Sequence, residues 1–169
     1  ETGIHRSPIE VEKPATEAPG VDPAEVTEIV RLLVEAGADP NARDNDGRAP
    51  LHQAVGRGLA GVIEALLEAG ARTNVAADGG VTPLHLAAQS GRAAVAELLV
   101  GSGAAVGAAD NSGQTPLHKA ADGGGVGVVQ VLLAASSARA NATDLWGQTP
   151  LHWAALDGRN EVVQALLEG

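Results

Sequence analysis

Histidine is the residue type in this chain with the most obvious chemistry. His52, His85, His118 and His152 are spaced 33, 33 and 34 residues apart, and His5 stands alone near the start. Imidazoles ligate metals and carry protons near neutral pH, so a zinc site or an acid–base site is the first idea to test. The spacing argues against both. A fixed period of this length marks stacked supersecondary units. Equivalent positions on stacked helices stand roughly 10 Å apart, whereas zinc holds each ligand at about 2 Å. Four rings in four layers cannot converge on one ion, so no metal and no cofactor is expected. His5 is read as unimportant or as the remnant of a cut.

Other catalytic groupings are missing from the sequence. There is no cysteine, hence no thiol nucleophile and no disulfide framework. Neither G-x-S-x-G nor H-E-x-x-H occurs. Gly79-Gly80 and Gly123-Gly124-Gly125 lack the G-K-[ST] that a phosphate loop needs. Asp44, Asp110 and Asp144 recur at one place in the period, where turn capping is the plain role for a carboxylate. In the remaining unit Ala77 takes that place and the acid moves to Asp78, which predicts a less tightly held turn. The chain is not expected to be an enzyme.

The histidines belong to a motif. Thr82-Pro83-Leu84-His85, Thr115-Pro116-Leu117-His118 and Thr149-Pro150-Leu151-His152 are identical, and Ala49-Pro50-Leu51-His52 is a variant. Proline suits a helix's first turn, where its missing N–H loses no bond, and the preceding Thr offers a capping oxygen. Leu and small residues follow, then a helix-breaking glycine at 58, 91, 124 and 158. A second helix carries one apolar stripe: Val62-Ile63-Leu66-Leu67, Val95-Leu98-Leu99, Val128-Val129-Leu132-Leu133 and Val162-Val163-Leu166-Leu167. No unit can bury its stripe alone, so neighbours must stack.

This pattern resembles the ankyrin repeat, T-P-L-H-x-A-A-x-x-G-x-x-x-V-V-x-x-L-L-x-x-G-A-x-x-N-x-x-D-x-x-G, and more than a dozen positions recur in register over residues 49–169. The resemblance implies an all-α solenoid, a curved array of about four to five helix–turn–helix repeats with β-turn fingers. Its boundaries are an extended or disordered leader at 1–21, an incomplete N-terminal repeat at 22–48, repeats at 49–81, 82–114 and 115–148, and a truncated C-terminal repeat at 149–169. The third full repeat carries one extra residue at Ser136-Ser137, which predicts a distorted loop after Leu133, and its three glycines predict a loose inter-helix turn. Asp22-Pro23-Ala24-Glu25 is the start signal of the first helix. Glu1-Thr2-Gly3 reads as a scar of secretory expression and the chain as processed, so an extracytoplasmic setting is favoured over the cytoplasm.

Composition narrows the partners. Net charge is −10, of which residues 1–46 hold −7 (11 acids, 4 bases) and residues 47–169 hold −3 (10 acids, 7 bases). No basic stripe exists to displace phosphate counterions, so nucleic acid is not an expected partner. No apolar run is long enough for membrane insertion. Arginine outnumbers lysine nine to two and Ala, Gly and Val dominate, which points to a GC-rich genome and so to an exported bacterial or phage protein acting on a host.

The resemblance makes another protein the expected partner, touched by finger tips and by the exposed end of each first helix. Mapped onto this chain, the finger contacts are Arg43, Asn45, Asp46, Arg48, Asp78, Asn111, Gln114, Leu145 and Trp146, and the helix-end contacts are Arg57, Gln89, Asp122, Leu156 and Asp157. A variable position, five into each unit, reads Gln53, Leu86, Lys119 and Trp153, and its variation implies partial exposure on the concave side. Trp146 and Trp153 are the only aromatic residues. They form a candidate hot spot, or else Trp153 packs between repeats and Trp146 covers its own turn. The resemblance gives His52, His85, His118 and His152 a structural task, tying each finger to the next repeat. Asn141-Ala142-Thr143 is the sole glycosylation sequon, although Asn41, Asn74 and Asn141 share a repeat position where the family uses Asn to hold the loop. A monomer is expected unless the uncapped C-terminal edge pairs. The alternative function is a scaffold or targeting domain within a larger multidomain protein.

Overall fold

A computed structural model describes residues 22–123, 125–135 and 140–168. Among them are nine α-helices and no strand: α1 Pro23–Glu35, α2 Pro50–Arg57, α3 Ala60–Glu68, α4 Pro83–Gln89, α5 Ala93–Gly101, α6 Pro116–Gly123, α7 Val126–Ala134, α8 Pro150–Leu156 and α9 Asn160–Glu168. The short helices α2, α4, α6 and α8 stack into an inner row. The helices α1, α3, α5, α7 and α9 form an outer row, in which α1 packs on α3, α5 on α7 and α7 on α9, and each inner helix pairs with the outer helix that follows it. The arrangement is an all-helical repeat solenoid.

Each inner helix starts at the proline of the repeated tetrapeptide, whose fixed φ is already helical. The next Leu goes inward: Leu51, Leu84 and Leu117 are fully buried. Outer-row Ile63, Leu99 and Leu132 meet them from the other side, in one continuous core with Ala87, Ala88, Ala120 and Ala121. Full burial of one such aliphatic side chain stabilises by about 1.5–3 kcal/mol. The small residues between them let neighbouring layers approach.

The first outer helix differs. Asp22 Oδ1 accepts from Ala24 N–H at 2.9 Å and Pro23 opens the helix, which runs 13 residues where α3, α5, α7 and α9 each run 9. None of its side chains is buried, and Ile29, Leu32 and Leu33 are all more than half exposed.

The glycines expected to loosen the turn of the third full repeat include Gly124, which lies outside the described residues, as do the leader, the loop at 136–139 and the distortion expected there. Gly123 and Gly125 have a different purpose. A Cβ at Gly123 would stand 2.5 Å from the Gln89 carbonyl oxygen, and one at Gly125 would stand 2.9 Å from Gly91 Cα. They permit close backbone contact between successive repeats.

Candidate binding surface

The fingers between helix pairs carry the polar chemistry, and the histidines lock them. In each interior repeat the imidazole Nδ1 faces a backbone N–H, which can only donate. These are Ala49 to His52 at 3.1 Å, Thr82 to His85 at 3.2 Å and Thr115 to His118 at 3.1 Å. The far nitrogen Nε2 then carries the proton and donates to a carbonyl of the next finger: Val81 at 3.1 Å, Gln114 at 3.0 Å and Gln148 at 3.0 Å. The Thr82 and Thr115 hydroxyls also point at Nδ1, at 2.8 and 2.9 Å. They serve the ring, where the sequence predicted a capping oxygen for the helix. Burial holds all three imidazoles below their ordinary pKa, against the upward pull of the backbone bonds. His152 keeps the local bonds to Thr149, at 3.2 and 2.8 Å, but is exposed at the last layer.

Inside the finger a carboxylate organises the turn. Asp44 Oδ1 accepts from Asp46 and Arg48 N–H at 3.0 and 2.8 Å. Asp110 Oδ1 accepts from Ser112 and Gln114 at 2.8 and 2.9 Å, and Asp144 Oδ1 from Trp146 and Gln148 at 2.9 and 2.8 Å. Adjacent fingers are joined through backbone bonds: Asp78 N–H to Asp46 C=O at 3.0 Å, Asn111 to Gly79 at 2.8 Å and Leu145 to Ser112 at 3.0 Å.

The variable fifth position reaches these same carboxylates. Lys119 Nζ lies 3.0 Å from Asp110 Oδ2, and Trp153 Nε1–H donates to Asp144 Oδ2 at 3.0 Å. Gln53 stands near enough to Asp44 to favour its charged form. Asp44 is acidified chiefly by the Arg48 N–H. At Asp110 burial pulls upward but is outweighed by Lys119 and the Gln114 and Ser112 N–H groups. At Asp144 burial is likewise outweighed, by the Gln148 N–H, Trp153 and the Trp146 N–H. All three sit below the ordinary aspartate value.

The residues expected to touch a partner divide accordingly. Asn45, Asp46, Arg48, Gln53, Arg57, Asp78, Gln89, Asn111 and Asp157 are exposed. Arg43 is exposed but engaged, donating through Nε to Gly47 C=O at 2.9 Å and through Nη2 to Ala76 C=O. Arg48 and Asp46 form a 3.9 Å surface pair, which is worth little. Gln114 is only 9% exposed and its side chain accepts from Lys119, so burial leaves it little to offer a partner. Asp122 is half-buried and its carbonyl accepts from Arg159 at 3.3 Å. Lys119 and Trp153 are half-buried, and Trp153 packs against the core while its indole reaches Asp144. Leu145, Trp146 and Leu156 are 74%, 66% and 74% exposed, and Leu145-Trp146 stands at the tip of the Asp144 finger. Asn141 is exposed, whereas Asn41 and Asn74 clamp the next loop through Gly70 and Gly103 carbonyls, both at 3.1 Å. Among the described residues no group of three His, Asp or Glu side chains is placed to hold a metal ion.

A family profile described as ankyrin repeats, in 3 copies, matches residues 24–110 and 102–169. The chain belongs to the ankyrin-repeat family. Ankyrin repeats are generally non-enzymatic protein–protein interaction modules. An ankyrin repeat protein of fowlpox virus (strain NVSL) is 46% identical over 37 residues, which is 22% of this chain and 8% of that protein. The chain therefore spans a small part of the length of the curated relative it matches.

One element of the ankyrin surface was missed in the sequence. The fifth position supplies a side-chain N–H donor wherever the residue nine places earlier is Asp (Asp44/Gln53, Asp110/Lys119, Asp144/Trp153), and it is Leu86 where that residue is Ala77. The internal covariation was present in the repeats, but a spacing of nine belongs to neither the helix nor the strand period.

Proposed function

We propose that this ankyrin array binds a partner protein through its concave and finger surface, with Leu145 and Trp146 as the anchor. One observation carries the reading. A Trp is 66% exposed at the tip of a finger whose turn is held by Asp144 from within and by Trp153 from the adjoining helix. A large rigid side chain on a fixed loop loses little conformational freedom on binding, and Trp is the residue most enriched at interface hot spots. Gln53, Arg57, Gln89, Asn111 and Asp157 add polar, exposed positions along the same array.

Likeness to a fowlpox virus protein, with the arginine-rich composition, supports a host-directed role. A scaffold or targeting module within a larger protein is the second reading, favoured because the matched stretch is 8% of that viral protein. No helix among the described residues is long and apolar enough to cross a membrane. The test is quantitative pull-down with mass spectrometry, comparing the wild-type chain with Trp146→Ala. The partner that matters is recovered about tenfold or more weakly by the variant, as loss of a hot-spot residue demands, with thermal stability unchanged. Equal recovery of every captured protein would remove Trp146 from the interface.

A further inference from the structure

Three asparagines share one place in the period: Asn41, Asn74 and Asn141. Two of them are committed to the fold. Asn41 Nδ2 donates to Gly70 C=O at 3.1 Å, and its Oδ1 accepts from Arg72 N–H at 2.8 Å. Asn74 does the same one repeat later, with Gly103 C=O at 3.1 Å and Ala105 N–H at 2.7 Å. Each of these amides has both ends engaged on the next loop. Asn141 makes neither bond among the described residues, and it is exposed.

The residues around Asn141 give its amide a different use. Asn141-Ala142-Thr143 is the sole N-x-T sequence in the chain, the acceptor pattern for N-glycosylation. Thr143 is exposed as well, and residues 142–144 belong to no helix or turn. A glycan is bulky and must remain in solvent, so access matters as much as sequence. Asn141, Ala142 and Thr143 line an open groove of about 620 Å³ between neighbouring finger bases. Gly107, Ala109 and Gly113 line it too, and none has a side chain larger than methyl. The groove beside Asn74 holds Arg43, Leu67 and Arg72 instead. The tip above the sequon is fixed independently, because Asp144 holds the Trp146 and Gln148 N–H groups.

We propose that Asn141 is an acceptor for an N-linked glycan, at a place where the array takes a covalent modification without losing a contact of the fold. The donor is an oligosaccharide carried on a lipid diphosphate, and an enzyme of a secretory compartment transfers it. Asn141 Nδ2 forms a bond to the anomeric carbon as the bond from that carbon to the diphosphate oxygen breaks. The lipid diphosphate leaves, Nδ2 gives up one proton, and no atom changes oxidation state. Thr143 is the hydroxyl by which the acceptor is recognised.

The full chain is secreted from cultured eukaryotic cells, and occupancy is read by mass spectrometry after peptide-N-glycosidase treatment in heavy-oxygen water. Asn141 is expected to carry the label in more than about half of the molecules, Thr143→Ala to abolish it and Thr143→Ser to retain it. Ala76 and Ala109 hold the place of Thr143 in the preceding repeats, so the Ala variant is expected to fold. An unmodified wild-type chain overturns the proposal, as does labelling that survives Thr143→Ala. The freedom of the amide is tested separately on unglycosylated protein made in bacteria. Asn74→Ala is expected to lower the melting temperature by at least about 3 °C, through the two bonds it removes, and Asn141→Ala to change it by less than about 1 °C. A drop for Asn141→Ala as large as that for Asn74→Ala overturns the proposal, because the amide would then belong to the fold.

Discussion

The finger that carries Asp110 and the finger that carries Ala77 make the same backbone closure by different means. Asp110 N–H bonds Gln114 C=O at 2.9 Å, and Ala77 N–H bonds Val81 C=O at 2.9 Å. Around Asp110 the turn is tied from within, by one carboxylate oxygen on two N–H groups and by Lys119 on the other oxygen. Around Ala77 those side-chain bonds have no acceptor. Gly80 N–H still bonds Ala77 C=O at 3.0 Å, as in the other fingers, but here Gly79 as well as Gly80 has positive φ, and Arg43 from the preceding finger bonds Ala76. Only glycine takes two such positions in succession without strain. The consequence falls on the tip. The place of Gly79 is held by Asp46, Ser112 and Trp146 in the other fingers, and none of these has positive φ. A carboxylate-held turn leaves the tip free to carry any side chain, Trp146 included. A glycine-held turn gives that freedom up.

The comparison sharpens most if a lock common to both fingers is removed. His52 holds Val81 in the glycine-held finger and His85 holds Gln114 in the carboxylate-held one. Replacing either with Ala leaves a buried N–H without a partner and strips a finger carbonyl of one of its two bonds, and each variant loses about 3 kcal/mol of unfolding free energy in urea at pH 7.5. The local outcome differs. Amides 77–81 lose exchange protection in His52→Ala because no side chain ties that turn from within. Amides 110–114 stay protected in His85→Ala because Asp110 remains. The histidines also set a pH dependence. Their folded pKa values lie below the ordinary 6.5, so the unfolded chain takes up protons first, and stability present above pH 6.5 is lost as pH falls through the window beneath it. Each His→Ala variant flattens that slope. Equal protection of the two fingers would break the comparison.

A smaller effect comes from removing the carboxylate. Asp110→Ala leaves the Ser112 N–H, the Gln114 N–H and Lys119 without their shared acceptor, and the expected loss is about 2 kcal/mol. Its turn cannot copy the one at Ala77, because Ser112 stands where Gly79 supplies positive φ. Asp110→Ala/Ser112→Gly is therefore expected to recover about 0.5–1 kcal/mol of that loss. No recovery would show that glycine at the tip is incidental to the Ala77 turn.

The helices were legible because their signals are local and periodic. Pro50, Pro83, Pro116 and Pro150 each open an inner helix, and the outer stripes at Ile63, Leu99 and Leu132 face the core. The exposed tip at Leu145-Trp146 could also be read, since a large apolar pair inside a turn has no neighbour to bury it. What escaped were contacts set by packing. The Thr hydroxyl serves His Nδ1, and nothing in the tetrapeptide separates that from a helix cap. Gly123 and Gly125 look like looseness in sequence but sit tight against Gln89 and Gly91. Lys119 and Trp153 read as variable contact residues, yet each has a polar group tied to a carboxylate nine places earlier.

That nine-residue pairing offers the subtlest test. Ala77 is 9% exposed and lies where the other fingers hold a carboxylate. Leu86 follows it at the same interval as Lys119 follows Asp110. Ala77→Asp alone puts a carboxylate beneath an apolar side chain, with desolvation uncompensated, so it destabilises. Leu86→Lys alone gives up apolar contact with the core and gains no acceptor. Together they restore the pair seen at Asp110 and Lys119, and a double-mutant cycle is expected to return a favourable coupling of about 1 kcal/mol. Additive effects would mean that the matching of donor to carboxylate along the array is coincidence. A coupling present only after Gly79→Ser is also introduced would mean that the glycine turn holds the introduced carboxylate out of reach, so that the choice between the two kinds of finger is made at the tip and not at its base.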